Sequence, residues 1–403
     1  MRLIRPIRVC LPDPALAGEV ATPPLGGLTT RDLLRLSRGS ANSFIHVIRS
    51  EVDTAEGGPD PAAEVDSGRS RLDAMLAAGI LRRQEGPAFY IYEIATAGHS
   101  AIGVIADVLV DGYRNGRIRR HEHTRRATED LLVEHLRRIG AHTDPVALTY
   151  KADPAIDAAV AEAMQSEPLL DFATGGGRQR VWRIGANDER RLHDLLDEID
   201  VLYITDGHHR CAAAARHAES KNAGGAASGF EDHYVLAALY PDSELTLLEF
   251  NRCVADIGLP VESLVTTLRR ALSVEELSPG ADPRPRRRGE IGLLAGGRPF
   301  RLTVPDEVVP DDVYGALDAV LLQDLVLGPA LGVTDPRTDR RLRYVAGPEV
   351  PDPEAHGCDA CFLLYPTDLS DVMRIADAGM VMPPKSTWFE PKVWGGLFVR
   401  LLD

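Results

Sequence analysis

Apolar residues recur along the chain in two periods. Short runs rich in Val, Ile, Tyr and Phe are predicted strands at 89–95 (FYIYEIA), 102–108 (IGVIADV), 201–205 (VLYIT), 234–240 (YVLAALY), 245–250 (LTLLEF) and 361–365 (CFLLY). Helical spacing predicts helices over 29–37, 155–165, 189–198, 208–219, 261–272 and 312–327. A further helix is predicted over 125–139, with Leu131, Leu132, Leu136 and Ile139 on one face. Strands and helices interleave with short hairpin-like steps, so the fold class is α/β or α+β. No repeat of solenoid or propeller period interrupts the pattern. Gly-, Pro-, Ala- and Ser-rich stretches at 54–70, 220–230 and 279–290 are predicted loops. The last of these holds an arginine cluster. It reads as a solvated loop, with a nucleic-acid patch as the alternative, because no aromatic residues interleave with the arginines.

Composition narrows the picture. The 403 residues carry a formal net charge of −15, with 44% hydrophobic and 26% charged residues. That is an ordinary globular composition, long enough for two or three domains and a well-buried core. The acidic balance disfavours nucleic acid and anionic membrane as partners. No apolar run is long enough to span a bilayer, and the N-terminus lacks the apolar core of a signal peptide. The five cysteines, Cys10, Cys211, Cys253, Cys358 and Cys361, are scattered. Reduced thiols in a cytoplasmic protein are expected.

Three segments carry candidate chemistry. Thr205-Asp206-Gly207-His208-His209-Arg210 joins a predicted strand to the alanine-rich run CAAAARHAE. Asp206 is placed to cap the helix, and Gly207 permits a tight turn. Two histidines and an arginine in the first helical turn oppose the helix dipole. Together with unpaired backbone N–H groups they suit an anion, above all phosphate. Asp206 could hold Mg2+ or steer a hydroxyl. The second segment, Arg119-Arg120-His121-Glu122-His123-Thr124, precedes the 125–139 helix. Glu122 suits a general base, and His121 and His123, on one side of an extended segment, suit a metal pair. A polar helix start with Thr124 as N-cap is the alternative. The third segment, Met382 to Lys392 (MPPKSTWFEPK), contains three prolines and is predicted as a rigid loop before a final strand, VWGGLFVRLL. Lys385, Ser386 and Thr387 could bind an anion or polar ligand there, or the loop is structural. Two weaker signals remain. Cys358 and Cys361 have redox or zinc spacing, though a lone CxxC running into an apolar strand is more often incidental. Gly175-Gly176-Gly177 is predicted as a turn between strands.

These segments, in this order, resemble a family of mostly uncharacterised bacterial and archaeal proteins that includes the archaeal ADP-dependent free serine kinase. The resemblance covers most of the chain. It rests on SFIHVIRSE at 43–51, IRRHEHT at 118–124, YITDGHHR at 203–210, ALDAVLLQDLVLGPALGV at 316–333 and MPPKSTWFEPKVWGGL at 382–397. It implies a ParB/sulfiredoxin-like core with insertions over 96–403 and an additional N-terminal α/β region over 1–95. By position, Glu122 matches the catalytic base and Asp206 the essential aspartate, with His209 as a third catalytic candidate. Gly207, His208, His209 and Arg210 match the phosphate-binding turn of the nucleotide site. Lys385, Ser386 and Thr387 match a loop of the amino-acid pocket. Asp206 is also the candidate Mg2+ ligand.

Two elements differ from the family pattern. Thr22-Pro23-Pro24-Leu25-Gly26 stands where Pro-Pro-Tyr-Asp is usual, and Glu249-Phe250-Asn251-Arg252 where Pro-Thr-His-Arg is usual. The changes bear on substrate choice and on turnover. The resemblance implies phosphoryl transfer from ATP or ADP, with Mg2+, to the hydroxyl of free serine or a related amino acid. A larger hydroxylated acceptor is a variant of the same reading. The alternative is a ParB-like nucleotide-binding or regulatory protein without kinase turnover. Neither nucleic acid nor membrane is expected as a partner, and a homodimer is left open.

Overall fold

The computed structural model describes residues 1–26, 28–49, 52, 61–96, 98–175, 177–223 and 230–402. The chain is mixed α/β and divides into two compact units. One is formed by Met1–Leu245 with Pro391–Asp403, the other by Thr246–Glu390. The expected boundary after residue 95 falls inside the strand Tyr90–Thr96.

The first unit is built on a nine-stranded sheet. Its central strands are Val146–Tyr150, Tyr234–Pro241 and Ser100–Leu109, and Leu202–Asp206 lies beside Val146–Tyr150. Period-two alternation sends Val104, Ala106, Val146, Leu148, Leu202 and Ile204 to one face. There they pack on the helices Pro154–Ala163, Ala186–Asp197 and His208–Ala223. The opposite face carries Tyr90, Tyr92, Ile105, Leu236, Ala238 and Tyr240 under Ile7, Val9, Leu397 and Phe398. Two carboxylates emerge on this second face: Asp107 opposite Leu236, and Asp206 opposite Ala147, which in turn lies opposite Ala238. The last segment of the chain serves both, giving Lys392 to Asp206 and Arg400 to Asp107.

Arg400 is only 1% exposed, and its Nε lies 2.5 Å from Asp107. Arg5 donates to Asp107 and Glu231, and Arg400 also reaches Glu231. Burial pushes the Asp107 carboxyl up, and Arg400 and Arg5 only partly offset it. Such a network is costly to break from one side, because the surviving charge stays buried.

In the second unit a six-stranded antiparallel sheet places Phe250–Val254 between Leu342–Ala346 and Ala360–Leu364. Its core joins Val254, Leu293, Phe300 and Phe362 to Leu264, Leu322 and Val326. Cys253 and Cys361 stand directly opposite one another and form a disulfide. The expectation of reduced thiols fails for this pair, because antiparallel register opposes residues that are 108 apart in sequence. Cys358 is not bonded to Cys361, so the CxxC spacing is incidental. The arginine cluster is occupied within its own unit. Arg284 pairs with Asp282, Arg287 with Glu290, and Arg288 with Asp368 and Asp371.

Most predicted strands are present, with four corrections. Residues 61–70 of the expected loop open the helix Pro61–Ala77, with Pro61 at the first helical position. Residues 53–60 lie outside the described residues, as do Gly176 and residues 224–229 of the expected 220–230 loop. The helix expected over 312–327 begins only at Asp318 and becomes a π-turn over Gln323–Leu327. Pro329 follows, and its missing N–H cannot continue an α-helical ladder. Leu131 is 66% exposed, so the Arg126–Ile139 helix buries Leu136 and Ile139 but not Leu131. The long final strand is reduced to Arg400–Leu401, while Trp388–Glu390, expected as loop, pairs with Thr246–Leu248. Among the described residues no helix is long and apolar enough to cross a membrane.

Arg400→Met should lower unfolding free energy by about 3–5 kcal/mol, read from urea denaturation, because Asp107 and Glu231 lose a buried partner. An unchanged urea midpoint would show that the network does not hold the C-terminal segment in place.

Candidate functional site

The site grows from the end of a strand. Leu202–Asp206 runs parallel to Ile118–Arg119 and antiparallel to Val146–Tyr150, with a bulge just before Asp206. Gly207 follows at φ +88°, and a Cβ there would lie 2.8 Å from Arg210 Nε. Glycine is thus needed both for the left-handed turn and for the close approach of the guanidinium. The helix His208–Ala223 then begins.

Asp206 is the last residue of the strand, and its carboxylate is not spent on capping, contrary to the sequence expectation. Arg210 Nη2 donates to one oxygen at 2.8 Å and Lys392 Nζ to the other at 2.9 Å. Burial pushes the Asp206 carboxyl up, but Arg210 and Lys392 outweigh it and hold it below its ordinary value. The aspartate is therefore ionised at neutral pH. Asp144 is close by and feels Arg210, His135 and Asp206, yet burial dominates and raises its carboxyl. A Cβ on Gly395 would meet Asp144 Oδ1 at 2.6 Å, and the backbone of Gly395 pairs with Thr22 in both directions. The altered 22–26 element thus holds the segment that carries Lys392.

His208 is buried, and burial, followed by the charges around it, lowers its imidazole well below the ordinary value. Its ring packs edge-on against His121 at 4.5 Å between centroids. Burial likewise lowers His121 to about 4. Both rings are neutral at pH 7. This corrects the expectation of two cationic histidines in the first turn: His208 offers a hydrogen bond and not a charge. His121 is buried and His123 exposed, so the two do not form a same-side pair.

Glu122 is 57% exposed, with Oε2 3.7 Å from His208 Nδ1. The Arg125 N–H donates to His209 Nε2 at 3.0 Å, which ties the 120–125 segment to the helix start. Thr124 donates to Glu129 at 2.6 Å and does not cap the helix that begins at Arg126. Arg216 pairs with Glu129 and Asp130 and clamps that helix to His208–Ala223. Glu122, Asp206, Gly207, His208, His209 and Arg210 are therefore neighbours in one unit. Among the described residues, the buried His208 Nε2 and Arg210 Nε have no hydrogen-bond partner. They border the same turn and suit an arriving anion.

Lys385, Ser386 and Thr387 belong to the second unit. Ser386 is buried there and its Oγ accepts from Arg252 Nη2 at 3.1 Å. Lys385 is exposed, with Nζ 5.7 Å from the Phe250 ring centroid. Lys392, seven positions beyond Lys385, was not singled out from sequence, nor were Asp144 and Arg252.

Asp206 does not fit the part of a protein-held Mg2+ ligand. Both its oxygens already accept from cations, and among the described residues no group of three His, Cys, Asp or Glu side chains converges on a point.

A family model described as a protein of unknown function (DUF1015) matches residues 4–320. The chain belongs to this family. The match takes in Glu122 and the Asp206–Arg210 turn and ends before Lys385. Among solved structures, a mutant free serine kinase in complex with AMP is 14% identical, covering 71% of this chain and 86% of its own, with a TM-score of 0.35. A C-terminally truncated SbnI from Staphylococcus aureus is 10% identical over 71% of this chain and 82% of its own, at a TM-score of 0.36. A conserved hypothetical protein from Pyrococcus furiosus is 15% identical over 71% and 90%, at 0.31. No curated protein matches the chain.

Lys392→Met should raise the Asp206 pKa, because one of the two cations that offset its burial is gone. Carbon NMR titration of the Asp206 carboxyl checks this, and an unshifted titration would mean that Arg210 alone sets the charge.

Proposed function

We propose that the chain transfers a phosphoryl group from ATP or ADP to the hydroxyl of free serine or a related hydroxy amino acid. The observation that carries this reading is the turn at 206–210. There a helix N-terminus, the Arg210 guanidinium and the buried His208 Nε2, which has no hydrogen-bond partner among the described residues, surround one ionised carboxylate. Phosphoryl transfer is mostly a matter of positioning and charge neutralisation, and this turn supplies both.

The backbone N–H groups of the first turn and His208 would bind the transferred phosphoryl group, with Arg210 offsetting its charge. An incoming phosphate also competes with Asp206 for Arg210 and Lys392. The carboxylate so released would orient the acceptor hydroxyl. Glu122, beside His208, would take the hydroxyl proton as the oxygen bonds to phosphorus and the bond to the nucleotide oxygen breaks. Its exposure suits a base that meets a diffusing small substrate. Any Mg2+ would arrive on the nucleotide's phosphates, and no step is assigned to it.

Incubating the protein with MgCl2, ATP or ADP and a panel of hydroxy amino acids should give a phosphorylated product by mass spectrometry. Glu122→Gln should lower turnover by roughly 10²–10⁴-fold, the usual worth of a general base, with nucleotide affinity unchanged. Full turnover in that variant would remove Glu122 from the role. Nucleotide binding with no product from any acceptor would favour a regulatory protein.

A further inference from the structure

The second unit contains a buried charge without a counter-ion. Arg252 lies on Phe250–Val254 opposite Tyr344 and Phe362. Its neighbours on that face, Val254 and Phe362, belong to the apolar core of the unit. Arg252 is 4% exposed, yet among the described residues no carboxylate lies within ion-pair distance of it. Its hydrogen bonds go to neutral acceptors, the Phe250 carbonyl and the Ser386 hydroxyl. The Tyr344 ring lies 5.7 Å from its guanidinium carbon. Burial lowers its pKa to about 10, so it remains charged at neutral pH.

A buried guanidinium is ordinarily paired, because desolvation of an unpaired ion costs several kcal/mol. The other buried arginine among the described residues follows that rule: Arg400 has Asp107 and Glu231. Arg252 does not, and a second cation that has no carboxylate partner among the described residues stands next to its partner Ser386. Lys385 is exposed and is held at φ +52°, a left-handed conformation that is costly for a residue other than glycine. Its Nζ faces the ring of Phe250, whose carbonyl Arg252 also binds. A planar donor fork, a hydroxyl and a mobile ammonium group together suit a small oxyanion.

We propose that Arg252, Ser386 and Lys385 form an oxyanion-binding site in the second unit, with Arg252 as its specificity-determining residue and a carboxylate or phosphate as its ligand. The proposal deepens the transferase reading by naming an anionic group on the acceptor. It rests on that reading only for the biological source of the anion. Arg252 keeps the arginine of the family pattern, while Phe250-Asn251 before it stand where Thr-His is usual. Asn251 is engaged elsewhere, its Oδ1 accepting from the Leu364 N–H at 3.2 Å.

Calorimetric titration of the full chain, without nucleotide, separates the outcomes. L-serine serves as the carboxylate probe, ethanolamine as the same molecule without the carboxylate, and inorganic phosphate as the second anion. Binding of L-serine but not ethanolamine identifies a carboxylate site, and binding of phosphate alone identifies a phosphate site. In either case Arg252→Gln should weaken binding at least tenfold. Lys385→Ala, an exposed change that leaves the fold intact, should weaken it several-fold and flatten its salt dependence. Arg210→Gln should leave L-serine binding unaltered and remove only the phosphate held at the 206–210 turn. Absence of binding by both anions overturns the proposal. So does binding that is indifferent to Lys385→Ala, or phosphate binding lost only in Arg210→Gln. Anion binding through Arg252 with no phosphorylated product would remove the transferase reading and leave the site standing.

Discussion

The first unit depends on one carboxylate shared between two cations. Asp206 ends a strand, Arg210 stands one helical turn beyond it, and Lys392 comes from the last segment of the chain. Their ion pairs tie the strand–helix junction to the last segment of the chain. Gly207 makes the geometry reachable, since any side chain there would collide with the guanidinium. Two favourable pairs at one partly shielded carboxylate outweigh its desolvation, which is why the group stays ionised.

That balance also explains how an acidic protein can present a site for anions. Net charge is a weak guide at this scale, because a formal −15 spread over the surface is screened within about 10 Å at ordinary salt. Locally the count differs. Arg210 and Lys392 are the two cations against the single carboxylate of Asp206, with Glu122 at the edge of the turn, and the first turn of the helix adds its dipole. The imidazoles contribute shape and hydrogen bonding only, because burial strips His121 and His208 of charge at neutral pH. On the proposed reading, a site of this kind would neutralise phosphate without the cost of holding many bare cations together.

How much of this was legible in the sequence follows from range. Strands such as Tyr90–Thr96, Leu202–Asp206 and Tyr234–Pro241 announce themselves through runs of β-branched and aromatic residues. The Asp206–Arg210 turn was visible for a similar reason. A glycine and three basic side chains at a strand–helix junction make little sense as packing. Long-range partners leave no such mark. Lys392 lies 186 residues from Asp206, and within MPPKSTWFEPK the sequence favours Lys385 equally. Asp144 sits before a proline and looks like an ordinary turn residue. The charge state of His208 was misjudged because its ring packs on His121, which comes from the segment after the neighbouring strand Ile118–Arg119. The disulfide was missed because register across a sheet, and not spacing along the chain, brings Cys253 to Cys361.

The central claim is that the 206–210 turn receives an anion through Arg210 and His208. The most direct measurement is nitrogen NMR of the Arg210 Nε–H and the His208 imidazole during titration with ADP. The account expects both signals to move together and to saturate with the nucleotide. Saturable nucleotide binding that leaves both signals in place would contradict it.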